Sequence, residues 1–273
     1  MNVPGELAKL PAFVRRDVRI ALSYRMAALG GLLALAMQAV VFSFIGKLVD
    51  PAQLPTFVGT RATYMEFVTI GIGLNMVVLL MVHQLATAIR GEQMIGTLES
   101  LLVTPTRTTT IQVGSATFEL LYIPLRIGVL VALIAILFGL DFHVSGILPA
   151  VAIMISFLPF LWGLGLISAG AILTFRRGVG MVATGATILG LASGALFPLS
   201  LLPQWLQTLA AANPFAVALQ GLRETLIGGA TWSSVAPDIA KLVPFSLAAI
   251  VLGVVAFRLA LRRERRNGTL GLY

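Results

Sequence analysis

An all-α integral membrane protein with six transmembrane helices is the fold expected for this chain, on three observations. The 273 residues are 58% hydrophobic and only 11% charged, with a mean hydropathy of +0.96. An ordinary soluble domain carries about 25% charged residues. Six segments have the length and apolarity to cross a bilayer, which takes about 20 residues in a helix: 25–47, 66–90, 117–140, 146–175, 178–200 and 242–261. The lysines and arginines collect in alternate gaps between these segments, as topology signals do.

The N-terminal region, 1–24, precedes the first span. In "LPAFVRRDVRIAL", Leu10, Phe13, Val14, Val18 and Ala21 share one arc of a helix, and Arg15, Arg16 and Arg19 share the opposite arc. Pro11 suits a first helical turn. Such a helix lies in the cytoplasmic membrane interface, with its arginines toward anionic lipid. Asp17 falls on the apolar arc. Ala34-Leu35-Ala36 has the form of a signal-peptidase site. The apolar run nevertheless continues to Ile45, so a retained helix is expected.

Fourteen cations lie on one side of the six spans: Lys9, Arg15, Arg16, Arg19 and Arg25 before the first, Arg90 and Arg107 after the second, Arg176 and Arg177 after the fourth, and Arg258, Arg262, Arg263, Arg265 and Arg266 at the end. Four lie on the other side, Lys47, Arg61, Arg223 and Lys241, and Arg126 falls inside the third span. The bias places both termini in the cytoplasm, as an even number of spans requires. The same placement explains the net charge of +8 without a nucleic-acid partner. With no cysteine and two histidines, His83 and His143, disulfides and thiolate metal sites are excluded and no metal site is expected.

Two gaps are too structured to be plain loops. Between the second and third spans, on the cytoplasmic side, "RGEQMIGTLESLLVTP" puts Met94, Leu98, Leu101 and Leu102 on one helical face, with Glu92, Gln93, Glu99 and Ser100 elsewhere. Pro105 ends it. Periodicity alone allows either a helix resting on headgroups or one that meets a cytosolic partner. Between the fifth and sixth spans, 201–241 carries two apolar-faced segments. One holds Leu202, Trp205, Leu206 and Leu209 and ends at Asn213-Pro214; the other holds Phe215, Leu219, Leu222 and Leu226 and ends at Gly228-Gly229. Two short re-entrant helices dipping into the outer leaflet are expected, with the backbone between them buried in protein or facing water. The end of the chain, 262–273, reads as a basic cytoplasmic tail.

These two boxes carry a resemblance. The chain resembles the permease subunits of ABC-2 type exporters, through Gly96, Thr97, Leu98, Glu99, Leu101, Leu102, Thr104 and Pro105, and through Phe197, Pro198, Leu202, Pro203, Asn213, Pro214, Leu222 and Arg223. "YMEFVTIGI", entering the second span, is a weaker match. The likeness runs from the interfacial helix to the sixth span. It implies that the first box, with Glu92 and Met94, belongs to a coupling helix docking on a nucleotide-binding ATPase subunit. The turn with Arg176 and Arg177 would be a second cytosolic contact. It further implies two ATPase copies per complex, a second permease, identical or related, and a prokaryotic cell membrane as location.

The chain cannot be its own motor. A P-loop needs GxxxxGK[ST], whereas Lys9, Lys47 and Lys241 are each followed by leucine. No cofactor is expected in this chain; ATP and Mg would be bound by the partner. Within the spans, Asn75 and His83 share one face, as do Glu119 and Arg126. They are candidates for lining a pathway or for holding helices together. The fifth span carries Gly180, Ala183, Gly185, Gly190 and Gly194, which favour close helix packing.

The function expected is therefore export of a hydrophobic or amphipathic drug or lipid, with polysaccharide or lipid-linked glycan as the alternative. An ion-coupled secondary transporter would rest on Glu119 and Arg126. An intramembrane enzyme would rest on a Ser193–His83 dyad that no nucleophile box supports.

Overall fold

The computed structural model describes residues 10–23, 25–48, 54–94, 128–129, 131–136, 139, 142–174, 178–201 and 203–267. These are almost entirely helical. α1 (Leu10–Ser23) leads into α2 (Arg25–Gly46). A two-stranded hairpin, β1 (Thr56–Phe57) and β2 (Thr60–Arg61), precedes α3 (Tyr64–Met94). A 3-10 turn (Val144–Gly146) opens α4 (Ile147–Thr174), followed by α5 (Gly178–Ala192), the short α6 (Gln204–Ala211), α7 (Pro214–Leu226) and α8 (Trp232–Asn267). The strands are antiparallel, Thr56 opposite Arg61 and Phe57 opposite Thr60. Val58 and Gly59 between them both take positive φ, 48° and 82°, as a tight primed turn demands.

The helices compare with the expected spans as follows. α2 covers 25–46. α3 starts two residues earlier and continues to Met94. α4 matches 146–175 closely. α5 stops at Ala192 rather than 200, because Gly194 adopts φ 76° and turns the chain out of the helix. The last helix starts at Trp232, ten residues before the expected 242, and continues to Asn267, so the basic stretch 262–266 is helical. The expected sixth span leaves out 232–241, which holds Pro237 and several polar residues. Val235 and Leu242, both fully buried, anchor it instead, and Lys241 pairs with Asp238 at 3.1 Å one turn away.

α3 opens with a reciprocal cap. The Thr63 backbone N–H donates to Glu66 Oε2 at 2.8 Å, and the Glu66 N–H donates to Thr63 Oγ1 at 3.3 Å. This arrangement satisfies two donors that a helix start otherwise leaves free.

Contacts fix the direction of each helix. Ser246 meets Ser156, Gly163 meets Ala249 and Gly253, and Gly170 meets Phe257. Both numbers rise together, so α4 and α8 are parallel. Asn75 meets Gly190 and Gly71 meets Ala195; one number rises as the other falls, so α3 and α5 are antiparallel. The starts of α3, α4 and α8, the ends of α2 and α5, and all of α7 meet at one end of the bundle, here called the cap.

The core near the cap is aromatic. Phe157, Phe160 and Phe215 contact one another with ring centroids 5.4–5.6 Å apart, and Phe67, Phe157 and Phe215 are almost wholly inaccessible. The outside is also apolar. Leu33, Met37 and Phe44 on α2, Leu148, Val151 and Ile155 on α4, and Leu247, Val251, Leu252 and Leu259 on α8 are exposed. A protein surrounded by water does not present so much apolar surface, whereas lipid tails make it costless. Among the described residues, two helices are long and apolar enough to cross a membrane, Val144–Ile172 and Trp232–Arg263.

Candidate functional site: the capped break after α5

The early end of α5 poses a problem. The last carbonyls of a helix have no helical donor, and the irregular stretch that follows is buried: Ser193, Ala195 and Pro198 are nearly inaccessible. Each carbonyl stranded there would cost about 1–3 kcal/mol. Leu189 O accepts from Asn213 Nδ2 at 3.0 Å. Gly190 O accepts from the Ser193 N–H and hydroxyl, and Leu191 O from the Gly194 N–H. Leu196 O accepts from the Tyr64 hydroxyl at 3.4 Å.

Gly194 and Ala195 fall to Arg223. Its Nη1 donates to Gly194 O at 3.0 Å, and its Nη2 to Ala195 O at 3.0 Å. Nε and Nη2 also donate to Phe67 O in the first turn of α3, at 3.3 and 3.1 Å. The guanidinium lies 3.4 Å over the Phe67 ring, a cation–π contact that desolvation strengthens. One side chain of α7 thus ties α7, α3 and the end of α5 together. Among the described residues no carboxylate pairs with it; its charge is held by carbonyl dipoles and a ring face. Burial lowers its pKa to about 9, which leaves it charged at neutral pH. Arginine suits the task because its planar fork of donors reaches several carbonyls at once, which the point charge of lysine does not.

Glycine completes the grip. A Cβ on Gly71 would sit 1.8 Å from the Ala195 carbonyl oxygen, so that carbonyl rests directly on the backbone of α3 while Arg223 holds it from the other side. On the opposite flank, a Cβ on Gly146 would meet Thr225 O at 1.8 Å. Asn213 closes α7 at its start: its Oδ1 accepts from the Phe215 N–H at 3.0 Å, with Pro214 in the first turn.

The structure therefore joins several residues of the second sequence box. Phe197 and Pro198 lie in the break, Pro203 precedes α6, Asn213 and Pro214 start α7, and Arg223 spans three elements. Trp205 stands apart, exposed on α6 with Leu209. Asn75 is half-buried, with its amide 2.7 Å from where a Cβ on Gly190 would be. Ser193, considered above as a nucleophile, has its hydroxyl engaged by the Gly190 carbonyl. His83, Glu92 and Met94 belong to α3, but their side chains lie outside the described residues. Gly96, Thr97, Leu98, Glu99, Leu101, Leu102, Thr104, Pro105, Glu119, Arg126, Arg176, Arg177 and Leu202 also lie outside them. Sequence reasoning missed what Arg223 does, though a signal was present. It follows Leu219 by four and Phe215 by eight, so it sits beside the apolar face of its helix and not opposite it.

A bundle of helices with so apolar an exterior, two of them long enough to cross a bilayer, defines the chain as a helical membrane protein. The chain belongs to the ABC-2 type transporter family, whose model matches residues 12–227. The match spans the bundle from α1 to the end of α7 and contains both sequence boxes. A search of curated proteins found no matching relative. Membership makes the chain the membrane part of a transporter and implies an ATPase partner.

Proposed function

We propose that this chain is the permease subunit of an ATP-driven exporter in a prokaryotic cell membrane. It moves a hydrophobic or amphipathic drug or lipid outward from the cytoplasm or inner leaflet. It works with a second permease, identical or related, and with two copies of a cytosolic ATPase that bind ATP and Mg.

The observation that carries this reading is the polarity of the bundle. α3 starts in the cap and runs 31 residues to Met94, about 46 Å at the rise of an α-helix. Met94 thus lies at the end opposite the cap, and the Gly96–Pro105 box follows it in the chain, which supports a cytosolic position for the box. The charge bias puts that end in the cytoplasm. A soluble motor thus meets the box, and the sealed cap faces outward. α2 and α5 run toward the cap and α3, α4 and α8 away from it; since α3 and α4 share a direction, six spans require the expected third span, 117–140, as the return crossing.

Leu98, Leu101 and Leu102 then anchor the ATPase, with Glu99 setting orientation, Gly96 allowing close approach, and Arg176 and Arg177 making the second contact. Truncation of an interface anchor costs on the order of 2 kcal/mol or more. Leu98→Asp is expected to leave the permease inserted while the ATPase is lost on mild-detergent purification. Glu99→Ala is expected to keep the ATPase and its hydrolysis but lose most efflux. Co-purification, hydrolysis and efflux are measured on the same variants. Full ATPase retention and normal efflux in Leu98→Asp would contradict the reading.

A further inference from the structure

α4 and α8 differ in character along their length. Over the stretch away from the cap they are almost fused. A Cβ on Gly163 would lie 2.3 Å from the Ala249 backbone, and one on Gly253 would lie 2.5 Å from Gly163 O. Gly170 continues the seam, its Cβ position 3.3 Å from the Phe257 Cα. Backbones packed this closely have no side-chain rotamers through which to slip, and they resist splaying. Ala169, Phe257, Ala260 and Leu261 extend the packing further.

Toward the cap both helices carry interior prolines, Pro159 in α4 and Pro237 and Pro244 in α8, of which Pro159 and Pro244 lie nearest the glycine seam. Proline has no N–H, so the carbonyls of Ile155 and Ala240 lose their helical donors, and the ring crowds the preceding turn. The parallel register brings the two loosened stretches, 155–159 and 240–244, within about two turns of each other along the pair. Just past Pro244, Ser246 Oγ donates to Ser156 O at 2.7 Å and cross-links the two helices. The Ser156 hydroxyl also bonds back to Ala152 O at 2.8 Å, a contact that favours helix bending.

Beyond the prolines the outer turns are fastened to the cap. The His143 N–H donates to Leu226 O at 2.9 Å, Gly146 rests on the Thr225 backbone, and Ile153 lies against Gly221. Arg223 in turn ties α7 to α3 and to the break after α5.

We propose that α4 and α8 below the prolines form a single two-helix lever, jointed to the rigid cap at Pro159 and Pro244 and latched by the Ser246–Ser156 hydrogen bond. Neither the glycine seam nor the cap can yield without stranding or crushing backbone. Displacement applied at the far end is therefore taken up at the prolines, where two carbonyls are already released from the helical ladder. The inference stands on the bundle alone and requires no particular motor or substrate.

The test uses the purified full-length chain in lipid nanodiscs without any ATPase. Because the native sequence has no cysteine, spin labels go only where they are placed: Gln220→Cys in the cap and Arg262→Cys on α8, both exposed. Labelled chain is diluted with unlabelled chain so that only intramolecular pairs are read. Double electron–electron resonance should give a distance distribution that narrows in Pro159→Ala/Pro244→Ala. It should broaden or shift in Ser246→Ala, which keeps both prolines and frees the latch. An unchanged distribution in the double alanine variant overturns the joint, and an unchanged distribution in Ser246→Ala overturns the latch.

Discussion

Arg223→Met is expected to be among the most damaging single changes in the cap. Methionine keeps the unbranched apolar stem but removes every donor. Gly194 O and Ala195 O lose the bonds that satisfy them, and Phe67 O loses its extra pair. A buried carbonyl left without a partner costs about 1–3 kcal/mol, and the contact with the Phe67 ring is lost as well. Removing a desolvated charge offsets part of this, so a net loss of roughly 2–4 kcal/mol is expected. Arg223→Lys should fall between the two, because one ammonium cannot reach carbonyls on three sides. Thermal denaturation in detergent, followed by fluorescence-detected size exclusion, would rank wild type above Lys above Met. A Met variant as stable as wild type would remove the clamp from the account.

Gly71→Ala is the second large effect, and a neighbour serves as its control. A methyl on Gly71 would overlap the Ala195 carbonyl oxygen, at 1.8 Å, with Ala195 C at 2.7 Å. The obstacle is backbone held in place by Arg223, so no rotamer relieves it. Overpacking of this kind costs roughly 1–3 kcal/mol, occasionally more. Gly73 lies two residues on in the same helix, where a Cβ would meet nothing within 4 Å. Gly73→Ala removes a flexible residue from a helix interior and should stabilise by about 0.5–1 kcal/mol. The two substitutions are chemically identical, yet opposite shifts in melting temperature are expected. Equal shifts would mean that α3 and the break after α5 do not approach as described.

Much of this architecture was legible beforehand because membrane helices write themselves as apolar length. α2 and α4 fall within a residue or two of the expected spans, since in each the apolar run and the helix end together. α5 and α8 departed for local reasons. Apolar composition persisted to residue 200, but Gly194 and Pro198 end the helix within it; backbone geometry overrode hydropathy. At the start of α8, Ser233, Ser234, Pro237 and Asp238 hide a helical stretch that the burial of Val235 and Leu242 reveals. The cap was legible as a motif but not as a mechanism. Asn213-Pro214 announces a helix start in any sequence. That Asn213 also reaches back to Leu189, 24 residues away, or that Arg223 reaches Phe67 across 156, depends on how the helices meet.

The account rests most heavily on one polarity: the Arg223 cap outside and the Gly96–Pro105 box inside. Single cysteines in the otherwise cysteine-free chain test it directly. With whole cells and a membrane-impermeant thiol reagent, Ser234→Cys, exposed beside the cap at the start of α8, should be modified. Ser100→Cys should be protected until the cells are permeabilised. Labelling of Ser100→Cys in intact cells, with Ser234→Cys protected, would invert the bundle and contradict the assignment of the box to a cytosolic motor.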